Sequence, residues 1–340
     1  MNLVYLLVAV FSLAICFGAG RLGRAMGVVD FPDGERKIHA RATPLVGGFA
    51  ILVPFMAMAV LLGIVTAYTP LYLAIAASVL TFLLLGYFDD RTHLPAAARL
   101  LVSAAAMVAV LAVVPGFEVV FLRFTFMETP ILLDGYGGLT ATVFTVLCLV
   151  GFQNAVNMAD GKNGLVMGMA LVWVLALMAY APAHMMPLLI AFAIALVVTL
   201  AFNLRGRLFL GDSGTYALSV AVGLTAIYIH SVSFVTFSSD AVAVLFLIPV
   251  LDVLRLMVSR VLKGQSPLQS ARDHLHHILL VLMPLPSALA VYLTLVTAPI
   301  VLTILLPDLT LLWGVGATVF YAVIVAAKDR LGARVEMARQ

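Results

Sequence analysis

The feature that most constrains this chain is a succession of long apolar runs. Stretches of about 17–25 apolar residues can cross a bilayer as helices, and about eleven occur here. They lie near residues 3–20, 45–66, 70–88, 99–115, 138–157, 164–182, 186–204, 213–231, 240–259, 285–306 and 309–327. Because backbone groups in lipid must be hydrogen-bonded within the chain, the runs predict an all-α polytopic membrane protein. We expect residues 1–340 to form one domain.

The composition agrees with this class and limits the partners. Hydrophobic residues make up 64% of the 340 positions and charged residues only 10%, far from the averages of soluble domains. Cys16 and Cys148 fall inside apolar runs, so neither a disulfide framework nor a thiolate metal site is indicated. The basic residues are scattered over short loops. This pattern favours a role in membrane topology and gives no indication of nucleic-acid binding.

The distribution of basic residues predicts the orientation in the membrane. If the loops alternate sides, Arg123 is the single exception among nineteen Lys and Arg residues. The positive-inside rule places the basic side in the cytoplasm. That side holds the loops near 21–44, 89–98, 156–164, 204–212 and 260–284, and the C-terminus. Arg21 and Arg24 follow the first run and no basic residue precedes it, the reverse of a cleavable signal peptide, so we expect the N-terminus outside.

One longer loop on the opposite side predicts a short external β-hairpin near 117–134. Residues 117–124 have the composition of a strand, and residues 134–138 have that of a turn. The other loops on that side are mostly short.

Polar residues interrupt the apolar pattern at the end of the fifth run. Asn154, Asn157 and Asp160 are spaced three apart, which places them on one helical face. Unpaired polar groups at the edge of hydrocarbon cost several kcal/mol, so they need partners. Gly161 and Gly164 then free the backbone to turn. The pattern predicts a helix end that presents donors and acceptors into a wet pocket.

Two adjacent carboxylates end the third run. Asp89 and Asp90 would face each other and the negative end of the helix dipole, which is unfavourable without a cation. Mg²⁺ bridging phosphate oxygens would compensate them. The alternative is a solvated helix end neutralised by Arg91. Arg99 opens the next run and could reach the same site.

Asp212 precedes the eighth run, between Gly211 and Gly214. It could be a simple helix N-cap, the commonest use of Asp at such a position. The N-terminus of a helix is also an anion site, and the two glycines would allow close approach of a phosphate or its metal. The residues alone leave both interpretations open.

Two cytoplasmic loops are rich in cationic or imidazole side chains. Arg36, Lys37 and His39 could hold phosphate, or they could serve only as a positive-inside anchor. In the last loop, three imidazoles follow a basic residue within six positions, and no thiolate lies nearby, so zinc is disfavoured. A cationic and hydrogen-bonding site for phosphate or sugar hydroxyls fits that loop better. Its members are Arg272, His274, His276 and His277.

Taken in order, these motifs resemble the polyprenyl-phosphate N-acetylhexosamine-1-phosphate transferases. The matching stretches are 36–39, 89–90, 154–165, 211–215 and 274–277, in the family's order and across most of the chain. The resemblance implies transfer of a sugar 1-phosphate from a UDP-sugar to undecaprenyl phosphate, with release of UMP. It implies dependence on Mg²⁺, with Mn²⁺ as a substitute, and a site facing the cytoplasm in the bacterial inner membrane. A homodimer stays open as the oligomeric state.

The same resemblance implies residue roles. Asp89, Asp90 and Asp160 would be catalytic, with Asp89 and Asp90 at the lipid phosphate, and Asp212 and Asn157 would hold the metal. The substrate-binding residues would be Arg36, Lys37, His39, Arg99, Asn154, Asn163, Arg207, Arg272, His274, His276 and His277.

Three positions depart from the family pattern. His93 and Ala271 stand where acids often occur, and Asn163 stands where bacterial members usually have Asp. The histidine motif resembles the GlcNAc-type enzymes, so GlcNAc-1-phosphate is the expected group and another N-acetylated or deoxy-hexosamine the alternative. A secondary transporter would instead cluster its polar residues near the bilayer midplane and in two repeats. An inactive relative with a scaffolding role is disfavoured because Asp89, Asp90, Asp160 and Asp212 are all present.

Overall fold

The computed structural model describes residues 1–32, 41–135, 137–266 and 273–337, with side chains to residue 328. Twelve α-helices form within these ranges. They are α1 (Asn2–Met26), α2 (Gly47–Val65), α3 (Thr69–Thr92), α4 (Ala96–Val113), α5 (Leu139–Ala159), α6 (Leu165–Met178), α7 (Met186–Asn203), α8 (Gly211–Ser233), α9 (Ser239–Leu262), α10 (Leu275–Leu282), α11 (Leu285–Leu305) and α12 (Thr310–Met337).

All eleven apolar runs form helices, which confirms an all-α polytopic membrane protein. Within the described ranges, ten helical stretches are long and apolar enough to cross a membrane. The exception among the predicted runs is α6, with 14 residues. It begins after Gly164, which has a left-handed φ of 84°, and ends before Pro182, a residue that disfavours helix in the position before it. The run 164–182 therefore overestimates this helix.

An additional helix lies in the last predicted cytoplasmic loop. The sequence places a loop at 260–284, but residues 275–282 form α10. The helix has a strong apolar face, with Leu275, Ile278 and Leu279 buried. Eight residues are too few for a transmembrane run, so a search for long apolar stretches misses it.

Helix α8 lies at the centre of the bundle. The apolar window of α8 is 83% buried, against 22% for α1 and for the C-terminal span. Helices α2, α3 and α5 pack around it. At its beginning, Gly48 of α2 faces Gly214 so closely that a Cβ on Gly48 would lie 2.3 Å from the Gly214 Cα. The two glycines let the backbones of α2 and α8 approach each other.

Two short antiparallel strand pairs complete the fold. β1 (Val29–Asp30) pairs with β2 (Thr43–Pro44) at the start of α2. β3 (Phe121–Leu122) pairs with β4 (Ile131–Leu132), with Phe121 opposite Leu132.

The pairing of β3 with β4 places the predicted turn outside the hairpin. The connection between these strands is 123–130, whereas the sequence placed the turn at 134–138. Asp134 instead accepts a hydrogen bond from the Thr140 backbone N–H at 2.9 Å, at the start of α5. The predicted turn residues therefore lie before α5, which begins at Leu139, and the Gly138 backbone N–H donates to the Gly135 carbonyl at 2.8 Å, as in a turn. The predicted strand 117–124 is shortened to β3, and Pro115–Phe117 forms a 3₁₀ turn before it.

Candidate functional site

Asp90 attaches the end of α3 to the beginning of α8. Its Oδ1 accepts a hydrogen bond from the Asp212 backbone N–H at 2.8 Å, and its Oδ2 accepts one from the Ser213 backbone N–H at 2.9 Å. The first N–H groups of a helix have no acceptor within the helix, and the helix dipole favours a negative charge there. Asp90 therefore fixes the position of Asp212.

Asp89 is paired with a different set of groups. Its Oδ1 accepts from the Leu94 backbone N–H at 2.8 Å and its Oδ2 from the Tyr216 hydroxyl at 2.6 Å. The Arg99 guanidinium lies 3.7 Å from Oδ2. Asp89 and Asp90 are 1% and 8% exposed, so the alternative of a solvated helix end is wrong. Arg99 reaches the acids from the neighbouring helix, as the sequence predicts.

Asp212 and Asn157 form an open oxygen pair beside these acids. The Asn157 Nδ2 donates to Asp212 Oδ1 at 2.5 Å and to Thr215 Oγ1 at 3.1 Å. Since a carboxylate accepts only, this contact sets the orientation of the amide. Asp212 Oδ2 and Asn157 Oδ1 then have no donor among the residues that the structure describes. These are hard oxygen ligands of the kind Mg²⁺ prefers.

The donor set suits an ion that takes few protein ligands. In the described part of the chain, no three His, Cys, Asp or Glu side chains are arranged to enclose a metal. Mg²⁺ commonly takes one or two carboxylates and leaves the other positions to water and phosphate oxygens. Asp212 with Asn157 therefore fits Mg²⁺ or Mn²⁺, and would not fit a closed structural site.

Asp160 follows α5 and lies beside the same acids. Burial and the negative charges of Asp212 and Asp90 raise the pKa of Asp160 from 3.8 to about 7. No donor to its carboxylate is found within the described ranges. A carboxyl group with this pKa can exchange a proton near neutral pH. A nearby divalent cation would favour its ionised form.

The glycines around Asp212 serve packing. Gly211 has a φ of 76°, and a Cβ there would lie 2.9 Å from Asp90 Oδ2. On α3, a Cβ on Gly86 would lie 2.3 Å from the Asp212 carbonyl oxygen. The space that the sequence assigned to an approaching phosphate at Gly211 and Gly214 is taken up by Asp90 and by helix α2.

A second group of residues joins the loops after α5 and α7. The Asn203 Oδ1 accepts from the Gly164 backbone N–H at 2.6 Å, and its Nδ2 donates to the Leu208 carbonyl at 3.0 Å. Asn163 lies opposite Gly206, where a Cβ would be 3.5 Å from the Asn163 amide nitrogen. Asn203 thus sets the relative position of the two loops, and Asn163 is held between them.

The histidine segment meets this loop through His276. A Cβ on Gly161 would lie 2.3 Å from His276 Nε2, so the imidazole fits only against a glycine. His276 is buried, and its Nε2 has no partner among the described residues. Burial and the neighbouring His277 and His274 lower the pKa of His276 to about 3. Burial therefore favours the neutral form of His276, which can serve as a hydrogen-bonding group.

The remaining predicted substrate residues have other positions. Asn154 is oriented within α5, where its Nδ2 lies 3.3 Å from the Met158 sulfur. The Arg207 guanidinium lies over the Phe202 ring, 5.8 Å from the centroid, and the side chain is exposed. The structure does not bring either residue into contact with the acids. The predicted residues that lie outside the described ranges are Arg36, Lys37, His39 and Arg272.

Three buried residues connect the predicted ones and were not predicted as site residues. Tyr216 donates to Asp89, Asn203 joins two loops, and Asp252 accepts a hydrogen bond from His274 Nδ1 at 2.9 Å. Asp252 had a signal in the sequence, since an ionisable residue inside an apolar run is functional by default. Tyr216 and Asn203 had none beyond their proximity to the motifs.

The fold and these contacts define an α-helical membrane protein with a polar site at one end of its central helix. A sequence profile of glycosyl transferase family 4 matches residues 72–230, which include Asp89, Asp90, Asn157, Asp160 and Asp212. The chain is 30% identical over 297 residues to an undecaprenyl-phosphate alpha-N-acetylglucosaminyl 1-phosphate transferase of Yersinia pestis, covering 82% of this chain and 76% of the relative. It is 30% identical over 286 residues to the protein of that name in Escherichia coli (strain K12), covering 79% and 74%. The chain belongs to glycosyl transferase family 4.

Proposed function

We propose that this protein transfers a sugar 1-phosphate from a UDP-sugar to undecaprenyl phosphate and releases UMP. The relatives from Yersinia pestis and Escherichia coli are named for this acceptor and for an N-acetylglucosaminyl 1-phosphate group. We therefore take GlcNAc-1-phosphate as the transferred group. The reaction would take place at the cytoplasmic face of the bacterial inner membrane, the side to which the positive-inside rule assigns the basic loops.

The main support for this proposal is that polar side chains of three helices meet. Asp90, Asn157 and Asp212 come from three separate helices and meet at the N-terminus of α8, and the Asp160 carboxylate lies beside them. Side-chain oxygens grouped in this way are suited to a divalent cation that also binds phosphate. A secondary transporter would place its polar residues near the bilayer midplane, whereas these residues lie at helix ends.

The donor pyrophosphate would be held at the open oxygen pair. Asp212 and Asn157 would ligate Mg²⁺, which neutralises phosphate charge and orients the reacting oxygens when bound. Asp90 keeps Asp212 in place through the backbone of α8. Phosphoryl transfer needs positioning and charge neutralisation more than covalent chemistry, and a rigid helix junction supplies both.

The acceptor phosphate would lie towards Arg99. This guanidinium is 32% exposed and is 3.7 Å from Asp89, so part of its donor capacity remains for a phosphate. An oxygen of the lipid phosphate would attack the β-phosphorus, forming a new P–O bond. The bond from the β-phosphorus to the bridging oxygen would break, and its electron pair would leave with UMP.

Asp160 is the best candidate for the base that takes a proton from the lipid phosphate. Both oxygens of Asp89 and both of Asp90 already accept hydrogen bonds from the protein. Asp160 has a pKa of about 7, which suits proton transfer at neutral pH. Direct attack by the lipid phosphate also leaves no need for an aspartyl intermediate.

The test is a reaction with purified protein, UDP-GlcNAc, undecaprenyl phosphate and Mg²⁺. We expect UMP and a lipid-linked GlcNAc pyrophosphate in equal amounts, measured by chromatography and mass spectrometry. Repeating the reaction with other UDP-N-acetylhexosamines and deoxy-hexosamines identifies the donor. If no UDP-hexosamine gives UMP, the proposed reaction is wrong.

A further inference from the structure

A buried carboxylate outside the proposed catalytic group accepts hydrogen bonds from the segment that carries the histidines. Asp252, in α9, is 4% exposed. Its Oδ2 accepts from His274 Nδ1 at 2.9 Å, and its Oδ1 accepts from the Tyr321 hydroxyl at 2.7 Å and from Arg255 Nη2 at 3.0 Å. The Leu275 backbone N–H lies 3.1 Å from both oxygens.

We propose that Asp252, supported by Tyr321, is a positioning residue that sets the tautomer and orientation of His274 for the phosphates of the donor. The inference rests on the proposed function for the identity of the ligand. The tautomer of His274 is independent of the proposed function, because it is a property of the protein alone.

The contact with Asp252 determines which ring nitrogen of His274 carries the proton. A carboxylate can only accept a hydrogen bond, so His274 Nδ1 must be the donor. Arg255 lies 3.0 Å from the Asp252 carboxylate and favours its ionised form. With Nδ1 donating, His274 Nε2 is left without a protein partner in the described part of the chain. This nitrogen is the one available to a ligand.

The same network holds the histidine segment from both α9 and α12. Arg255 donates from Nε to the Tyr321 hydroxyl at 2.6 Å and from Nη2 to the Asp273 carbonyl at 2.5 Å. Lys328 forms an ion pair with Asp273 at 2.7 Å. Tyr321 and Lys328 belong to α12, so the C-terminal helix takes part in holding the histidines.

Ring packing connects His274 to the loop that follows Asp160. The His274 and His276 rings are parallel, 3° apart, with centroids separated by 5.7 Å. His276 in turn packs against Gly161, which follows Asp160. A rotation of His274 would therefore disturb the packing of the His276 ring, which lies against Gly161.

The first experiment measures the tautomer directly. The protein is labelled with ¹⁵N-histidine in detergent, two-bond ¹H–¹⁵N spectra are recorded above neutral pH, and His274→Gln identifies the His274 signals. We expect Nδ1 to carry the proton in the wild type. In Asp252→Asn, an amide donor can replace the carboxylate acceptor, so the proton should move to Nε2. Protonation of Nδ1 in both proteins would overturn the proposal.

The second experiment separates positioning from folding. Asp240→Asn is a matched control, because Asp240 lies at the other end of α9, is 6% exposed and accepts hydrogen bonds from Thr125. Loss of a hydrogen bond to a charged group corresponds to a roughly 10- to 100-fold loss of affinity. We expect Asp252→Asn to raise the KM for UDP-GlcNAc by at least about ten-fold and to leave the KM for undecaprenyl phosphate within about two-fold. Tyr321→Phe should give a smaller change in the same direction.

The outcomes are distinct. Equal changes in both KM values, or an effect no larger than that of Asp240→Asn at the same loss of thermal stability, would mean that Asp252 is only structural. If the wild type turns over no UDP-sugar, the proposed function fails, and the ¹⁵N measurement still decides whether Asp252 sets the tautomer of His274.

Discussion

Asp90 and Asp160 have the same side chain, yet their surroundings give them different chemistry. Asp90 accepts hydrogen bonds from two backbone N–H groups at the start of α8, so its oxygens hold the end of a helix. Asp160 lies just beyond a helix end, and no donor to its carboxylate is found in the described part of the chain. Burial and, after it, the charges of Asp212 and Asp90 raise its pKa to about 7. The difference comes from contacts that are distant in sequence, which a motif cannot show.

The raised pKa of Asp160 predicts how stability depends on pH in the metal-free protein. The folded state binds this proton more tightly than the unfolded state, so stability is present below about pH 4 and falls as the pH rises towards about 7. Mg²⁺ favours the ionised carboxylate, so it should raise the Tm more at pH 8 than at pH 5. Thermal unfolding with Mg²⁺ and with a chelator at both pH values measures this. Asp160→Asn should reduce the difference, and an equal effect of Mg²⁺ at both pH values would contradict the assignment.

The element that organises the site is the N-terminus of α8. Helices α2, α3 and α5 all touch it, through Gly48, Gly86 with Asp90, and Asn157. The approach is close because glycines stand where a side chain would meet backbone. The same packing therefore determines both the stability of the bundle and the position of Asp212.

Substitution of Gly86 tests this close approach. Gly86→Ala would place a Cβ 2.3 Å from the Asp212 carbonyl oxygen, and overpacking of this kind costs about 1–3 kcal/mol. We expect a lower Tm and a lower rate of UMP release. Gly151→Ala in α5 is the control, because a Cβ there meets no atom within 4 Å. Equal activity in the two variants would show that α3 does not position Asp212.

The sequence predicts helices better than it predicts the contacts between them. Long apolar runs identify the eleven principal helices because the bilayer fixes their length and polarity. The amphipathic α10 is too short to meet that criterion. The roles of Asp252 and Asn203 depend on which loops meet, and nothing local to either residue specifies this. The family resemblance implies that Asp212 lies near Asn157, and the structure places the two in contact.

The proposed reaction requires that the acids and histidines of the folded protein lie on the cytoplasmic side of the membrane. Two exposed positions at opposite ends of α9 test this topology. With the native cysteines Cys16 and Cys148 replaced, Thr236→Cys should react with a membrane-impermeant maleimide in spheroplasts. Gln265→Cys should react only after the membrane is permeabilised. The reverse pattern would place the site outside the cell and exclude a cytoplasmic UDP-sugar as donor.

In the proposed reaction, the N-terminus of α8 is the catalytic site of sugar-phosphate transfer. The most direct measurement is the Mg²⁺-dependent rate of UMP release from UDP-GlcNAc by Asp212→Asn and by Asp240→Asn, two buried-carboxylate variants at opposite ends of the bundle. Loss of a charged ligand in phosphoryl transfer should lower the rate by about 10²- to 10³-fold in Asp212→Asn, while Asp240→Asn stays within about two-fold of the wild type. Equal rates in the two variants would contradict the claim.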